Sequence, residues 1–191
     1  NMKIPPFTLD RQFQEIGSEI ETEVLQVLKG GQYIGGREIV KFEENFSSLI
    51  GVRNTIGCNS GTDALILALR ALDIGKGDEV ITSSFSFFAT AEAISAVGAN
   101  PIFVDIDPET YLINTELIEK EINPNTKAIM PVHLFGNAVN MNLINLLADK
   151  YGLKVIEDCA QATCTMWENS RVGSIGNIGC FSFFPTKNLG A

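Results

Sequence analysis

The chain has 191 residues, 45% of them hydrophobic and 19% charged, which is the make-up of a folded globular protein and excludes a disordered tail, a collagen-like repeat or a mucin-like stalk. Lys and Arg number 14 against 23 Asp and Glu, a net charge of −9 with the single His neutral. The basic residues are scattered singly, so neither nucleic acid nor an anionic membrane surface is an expected partner.

Asn1 before Met2 reads as a cloning remnant, and the start Lys3-Ile4-Pro5-Pro6 carries no apolar stretch of signal type. Thr8 to Lys29 places Leu9, Phe13, Ile16, Ile20, Val24 and Leu28 three and four residues apart and ends in Gly30-Gly31. That spacing predicts an amphipathic helix with a glycine stop. After the Gly-rich turn 31–36 a second helix is expected from about Glu38 to Ile50. From there short apolar runs alternate with helical ones. The expected strands are Asn54–Cys58, Glu79–Thr82, Pro101–Asp105, Ala128–Val132 and Lys154–Glu157. The expected helices between them are Thr62–Leu72, Ala89–Val97, Thr115–Ile122 and Leu143–Tyr151. Strands joined by crossover helices imply an α/β fold around a mostly parallel sheet. Residues 167–179, rich in Gly, Ser and Asn, read as a loop or hairpin before a strand-like apolar run, Cys180–Phe184. The chain stops soon after that run, as a fragment would.

No apolar run approaches the roughly 20 residues of a membrane span. Cys58, Cys159, Cys164 and Cys180 form no C-x-x-C pair, so free thiols in a reducing compartment, the cytoplasm, are expected. The lone His133 excludes a two-His metal site, and the G-x-S-x-G elbow, the dinucleotide fingerprint and the P-loop are all absent. No metal is expected.

Ligands of open α/β sheets sit beyond the carboxyl ends of the strands. Five polar groups fall there. Asn59-Ser60-Gly61-Thr62 turns through glycine into a helix whose free N–H groups suit a phosphate or carboxylate, although Ser60 or Thr62 as an ordinary helix cap explains the same residues. Ser84–Thr90 brings Phe85, Phe87 and Phe88, any of which is either a cofactor-stacking ring or plain core. Asp158 at the mouth of a buried strand needs a cationic or hydrogen-bonding partner, because an unpaired buried carboxylate costs several kcal/mol; a structural partner serves as well as a ligand. Ser182, alone among aromatics, either donates to a phosphate or bonds its own backbone. Lys187 is either a solvated surface charge or a nucleophile, since a lysine in apolar surroundings can lose its proton and attack a carbonyl. His133, after a strand, is equally a core imidazole or a ligand contact.

The ordered set 59–65 (NSGTDAL), 77–82 (GDEVIT), 87–90 (FFAT), 131–136 (PVHLFG), 155–161 (VIEDCAQ) and 181–190 (FSFFPTKNLG) resembles the DegT/DnrJ/EryC1/StrS sugar aminotransferases, pyridoxal-phosphate enzymes of the aspartate-aminotransferase fold. The resemblance runs from about Phe7 to the last residue. It implies a three-layer α/β/α architecture with a mostly parallel mixed sheet, the large domain of the fold type I pyridoxal-phosphate transferases, over 37–191. It also implies an N-terminal helix and Gly-rich loop over 1–36, with the small C-terminal domain expected to be missing from this chain. It further implies that Lys187 holds pyridoxal 5′-phosphate covalently and later shuttles a proton, that Asp158 keeps the pyridine nitrogen protonated, and that Gln161 lies near the phenolic oxygen. By the same resemblance Phe87 stacks on the ring, and Gly61, Thr62 and Ser182 cradle the phosphate.

The reaction implied is amino transfer from glutamate, or glutamine, to a keto group of a nucleotide-linked sugar, in surface-polysaccharide (lipopolysaccharide) or amino-sugar biosynthesis. The ending at Lys187–Ala191 resembles relatives acting on 3-keto more than 4-keto sugars. Lys187 speaks against the sister dehydratases, which carry His there. A dehydratase-like or amino-acid-directed enzyme, and a non-catalytic regulatory homologue, are the other readings of the same fold. Cys159 and residues 162–165 (ATCT) depart from the small Ala and His-Gly-Ala types of relatives, which predicts an altered pocket wall. Relatives run to roughly twice this length on the domain scale and form homodimers whose sites use both subunits, so this chain alone is expected to lack part of its site.

Overall fold

The computed structural model describes residue 5 and residues 7–190; Asn1 lies outside them. Helix α1 (Asp10–Gly30) ends where its sequence says it should: Gly31 takes φ 69° and donates its N–H to the Val27 carbonyl. Helix α2 (Arg37–Ile50) closes the same way on Gly51, φ 85°. A left-handed residue satisfies the last carbonyls, and glycine adopts it without a Cβ penalty. α1 leaves its apolar stripe open, with Phe13, Val24 and Leu28 each more than half exposed.

The rest of the chain runs α3 (Gly61–Ala71), β1 (Glu79–Ser83), α4 (Ala89–Ala96), β2 (Asn100–Val104), α5 (Thr115–Ile118), β3 (Thr126–Met130), α6 (Met141–Tyr151), β4 (Lys154–Asp158), β5 (Met166–Trp167), β6 (Ser170–Arg171) and β7 (Ile178–Cys180). Five strands form one sheet in the order β2-β1-β3-β4-β7, and every neighbouring pair is parallel. β5 and β6 pair antiparallel as a separate hairpin, which starts at Met166, one residue before the segment expected to be a loop or hairpin.

A parallel sheet is buried on both faces, so its strands are apolar throughout and alternate between two cores. Val80, Ala128, Met130 and Ile156 face α3 and α4, packing with Leu65, Leu69, Ala93 and Ile94. Ile81, Ile129 and Val155 face the other way, with Ile118 of α5 and Met141 and Ile144 of α6. Each of the buried Val, Leu, Ile and Met side chains contributes about 1.5–3 kcal/mol. The three layers follow from that two-sided burial.

Three expectations need correction. Asn54–Cys58 is not a strand: among the described residues it has no neighbour to complete a ladder, and it is held by side chains instead. The Gly57 N–H donates to the Glu43 carboxylate at 2.7 Å, Ser47 Oγ donates to Thr55 Oγ1 at 2.9 Å, and Ile56 is left 83% exposed. The strand expected at Cys180–Phe184 ends at Cys180, because the aromatics beyond it find better partners on α2. Phe181 meets Phe46 edge to face with ring centroids 5.0 Å apart, and Phe183 meets Phe42 at 5.2 Å. The helix expected over Thr115–Ile122 shortens to one α turn followed by a 3-10 turn, Glu119–Glu121, since Pro124 disfavours helical backbone at Asn123.

From β1 the chain steps to β2 on one side and later to β3 on the other. Such a reversal opens a crevice at the carboxyl ends of the strands.

Candidate active site

Asp158 ends β4 with 4% of its surface exposed. Its backbone is clamped to the segment just after β3, accepting from His133 N–H and donating to the Pro131 carbonyl. Its carboxylate takes one donor on each oxygen: Thr90 Oγ1 at 2.8 Å on Oδ2 and the Ala160 N–H at 3.1 Å on Oδ1. Among the described residues no cation forms an ion pair with it. Burial pushes this carboxyl above its ordinary value, while Thr90, Ala160 and, from farther off, His133 and Lys187 pull it back only in part. A carboxylate can accept about four hydrogen bonds. Asp158 therefore retains acceptor capacity and lacks a positive partner, which suits a protonated ring nitrogen.

Lys187 is half-buried, and its Nζ lies 6.0 Å from the centroid of the Phe87 ring. That ring is 70% exposed, as is Phe88 nearly to the same degree, so the core reading of Phe87 fails. An open aromatic face, an amine and a buried carboxylate thus belong to one crevice.

At its other end α3 begins against the segment after β7. A Cβ on Gly61 would stand 2.8 Å from Ser182 Cβ and 3.2 Å from Ser182 Oγ; only glycine permits this approach. Ser60 is the helix cap, accepting the Asp63 N–H at 3.0 Å. This leaves the first-turn N–H groups of Gly61 and Thr62 without an intrahelical acceptor, and among the described residues the Thr62 hydroxyl makes no hydrogen bond. Ser182 Oγ accepts from the Phe184 N–H at 3.4 Å, a weak local bond that leaves the hydroxyl proton free. The N-terminus of α3, with its free N–H groups, therefore lies against the Ser182 hydroxyl, an arrangement that suits an anion.

Gln161 is held by its carbonyl end: Oε1 accepts the Phe135 N–H at 2.9 Å. Phe135 sits in the left-handed region, φ 56° and ψ 20°, a conformation that costs a non-glycine residue on the order of 1 kcal/mol. With the oxygen so fixed, the amide NH₂ is the end left to offer a ligand.

His133 is core. Its Nδ1 accepts the Val139 N–H at 3.1 Å, which places the proton on Nε2 for donation to Glu157 Oε2 at 3.1 Å. Glu157, fully buried, also accepts the N–H groups of Gly173, Ile175 and Gly176. Burial would raise its carboxyl, but these donors outweigh burial and hold it below the usual range. His133, Glu157 and Cys159 lie close enough to share an ion, yet both ring nitrogens and both carboxylate oxygens are already used. The group is a lock on the loop leading to β7.

Of the departures at Cys159 and 162–165, Cys159 and Ala162 are fully buried with Val172, Cys164 is exposed, and Thr165 donates its hydroxyl to the Gly136 carbonyl at 3.0 Å. All four cysteines are free, and burial raises the Cys159 and Cys180 thiols. Sequence reasoning passed over Thr90, Ser86 and Glu157. The signal for Thr90 was its place in the first turn of the helix after β1, on the crevice side of the sheet.

A family model described as the DegT/DnrJ/EryC1/StrS aminotransferase family matches residues 14–191. The chain is 51% identical over 191 residues to UDP-N-acetyl-3-dehydro-alpha-D-glucosamine 3-aminotransferase of Acidithiobacillus ferrooxidans, covering all of this chain and 52% of that relative. Among solved structures it superposes on S. venezuelae DesV, in complex with a ketimine intermediate, with a TM-score of 0.97, 39% identity, and coverage of 100% of this chain and 51% of that one. NtdA from Bacillus subtilis, with bound cofactor PMP, gives a TM-score of 0.92 and 39% identity over 98% of this chain and 42% of that one. The chain spans about half the length of the relatives it matches.

Proposed function

Because the chain belongs to the DegT/DnrJ/EryC1/StrS aminotransferase family, we propose that it is the cofactor-binding portion of a pyridoxal-phosphate-dependent aminotransferase. Its substrates are glutamate or glutamine as amine donor and a nucleotide-linked 3-keto sugar as acceptor, in amino-sugar or surface-polysaccharide biosynthesis. The 3-keto assignment agrees with the reaction named for the Acidithiobacillus ferrooxidans relative. The observation that carries the reading is Asp158: a buried carboxylate with spare acceptor capacity in the crevice that also holds an open aromatic ring and an amine.

Pyridoxal 5′-phosphate, when bound, supplies a carbonyl carbon that takes up an amine and a ring that accepts electrons from the adjoining carbon. The residues present fit it. Gly61 and Thr62 would hold the phosphate through backbone N–H groups, with the Thr62 and Ser182 hydroxyls donating beside them. The close approach of Gly61 to Ser182 is what brings the two halves of that cradle together. Asp158 would hold a proton on the ring nitrogen, because its charge is otherwise uncompensated. Phe87 would cover one ring face and Gln161 Nε2 would donate to the phenolic oxygen. Lys187 Nζ would be the covalent anchor and, when released, the base that takes the substrate proton and the acid that returns it.

The whole protein is proposed to be a cytoplasmic homodimer. The open apolar stripe of α1 and the exposed Phe87, Phe88 and Phe135 support further protein surface against them, and the four free thiols fit a reducing compartment. Pyridoxal phosphate added to the full-length protein should give a near-visible absorbance band that borohydride removes and Lys187→Ala never forms. A wild-type protein with no such band would sink the reading. Assay against paired 3-keto and 4-keto nucleotide sugars then tests the acceptor.

A further inference from the structure

Thr90 is 2% exposed, and its single hydroxyl proton is spent on Asp158 Oδ2 at 2.8 Å. Ser86 Oγ lies 2.8 Å from the same Thr90 oxygen. A hydroxyl has one proton to give, so while Asp158 is ionised the bond between the hydroxyls has one direction: Ser86 donates to Thr90, and Thr90 to Asp158. Hydrogen bonds in such a chain polarise one another in a low-dielectric interior. Oδ1 is held separately by the Ala160 N–H at 3.1 Å. The carboxylate is thus gripped at both oxygens, by a loop amide and by a two-hydroxyl relay from the turn that carries Phe87.

We propose that Thr90, backed by Ser86, is a positioning residue that fixes the charge and the aim of Asp158 toward the ring nitrogen of the cofactor. This rests on the cofactor reading above. The other titratable groups acting on Asp158 are His133 and Lys187, and Asp158 in turn acts on Cys159 and Cys180. None of these four donates a hydrogen bond to its carboxylate, so the relay is the side-chain hold on Oδ2. The hydroxyl favours the charged carboxylate, and removing it favours the protonated form. Thr90 and Ser86 also link two parts of the crevice: the Phe87 turn and the end of β4 cannot shift independently while the relay stands.

The test is equilibrium binding of pyridoxal phosphate to the full-length protein as a function of pH, with Thr90→Val, Thr90→Ser and Ser86→Ala beside wild type. Thr90→Val should bind about tenfold more weakly at neutral pH, the usual scale for a hydrogen bond to a charged group. Its affinity should fall off at a higher pH on acidification. Thr90→Ser should restore most of both, and Ser86→Ala should shift both in the same direction by a smaller factor of about two to three. If Thr90→Val fails to fold, the serine and alanine variants decide: Thr90→Ser near wild type with Ser86→Ala shifted supports the relay. Unchanged affinity and pH profile in Thr90→Val or Ser86→Ala, or a Thr90→Ser as weak as the valine variant, overturns the proposal while the cofactor reading stands. Absence of pyridoxal phosphate binding in wild type overturns both.

Discussion

Asp158 carries two opposite demands that one substitution can separate. Its carboxyl is pushed up by burial, so in the ligand-free protein its contribution to stability is present below the ordinary carboxylate range and is lost as pH rises through the raised value. Asp158→Asn should therefore gain on wild type in thermal midpoint as pH increases toward neutrality, while transamination by the full-length enzyme falls by orders of magnitude. A variant that keeps near-normal turnover removes Asp158 from the ring nitrogen. At Gly61 the constraint is space. Gly61→Ala would press a methyl group against Ser182 Cβ, a strain of about 1–3 kcal/mol, and calorimetry with pyridoxal phosphate should show affinity lost while Lys187 still reacts at high cofactor concentration. For Phe87, already 70% exposed, truncation to alanine should leave folding intact and weaken cofactor retention by about 1–3 kcal/mol; unchanged retention would leave the ring without a role.

Between elements, the Glu157 lock decides whether β7 is held in place. β7 is only three residues long, and one carboxylate gathers three N–H groups of the preceding loop together with His133. Glu157→Gln would turn an amide NH₂ toward backbone donors and should cost about 3–5 kcal/mol in denaturant unfolding, the range for breaking a buried charged network. Because this carboxyl is held below its ordinary value, its stabilisation is present above the ordinary range and disappears as pH falls through the lowered value. The gap between wild type and Glu157→Gln should close in acid; a gap independent of pH would show that charge is not what the loop needs. Arg171 adds a second tie, donating from β6 to the Leu49 carbonyl at the end of α2, where a cation also meets the negative end of a helix.

For the molecule as a whole, the unbalanced feature is α1. Its apolar stripe of Phe13, Ile16, Ile20, Val24 and Leu28 stays between 38% and 54% exposed, more than a lone surface helix normally shows. Val24→Lys with Leu28→Lys should scarcely move the thermal midpoint of the 191-residue chain and should reduce its self-association on size exclusion. An elution position that does not change would argue that the stripe is not a contact surface.

Much of this protein was legible in one dimension. The helix stops at Gly31 and Gly51, the strand and crossover rhythm, and the polar residues placed just after each strand are local properties of the chain, set by backbone geometry and hydrophobic period. Two kinds of fact were not. Whether Asn54–Cys58 or Phe181–Phe184 is a strand depends on a neighbour offering hydrogen bonds, and propensity cannot supply one; the aromatic run instead answered to Phe42 and Phe46, far away in sequence. The grip on Asp158 likewise joins a hydroxyl 68 residues distant, and the fate of His133 as core rather than ligand contact was settled by Val139 and Glu157 closing on it. Local pattern marked which polar residues lie just beyond the strands; long-range packing alone decided what each of them touches, because hydrogen bonds and burial depend on atoms brought together only when the layers close.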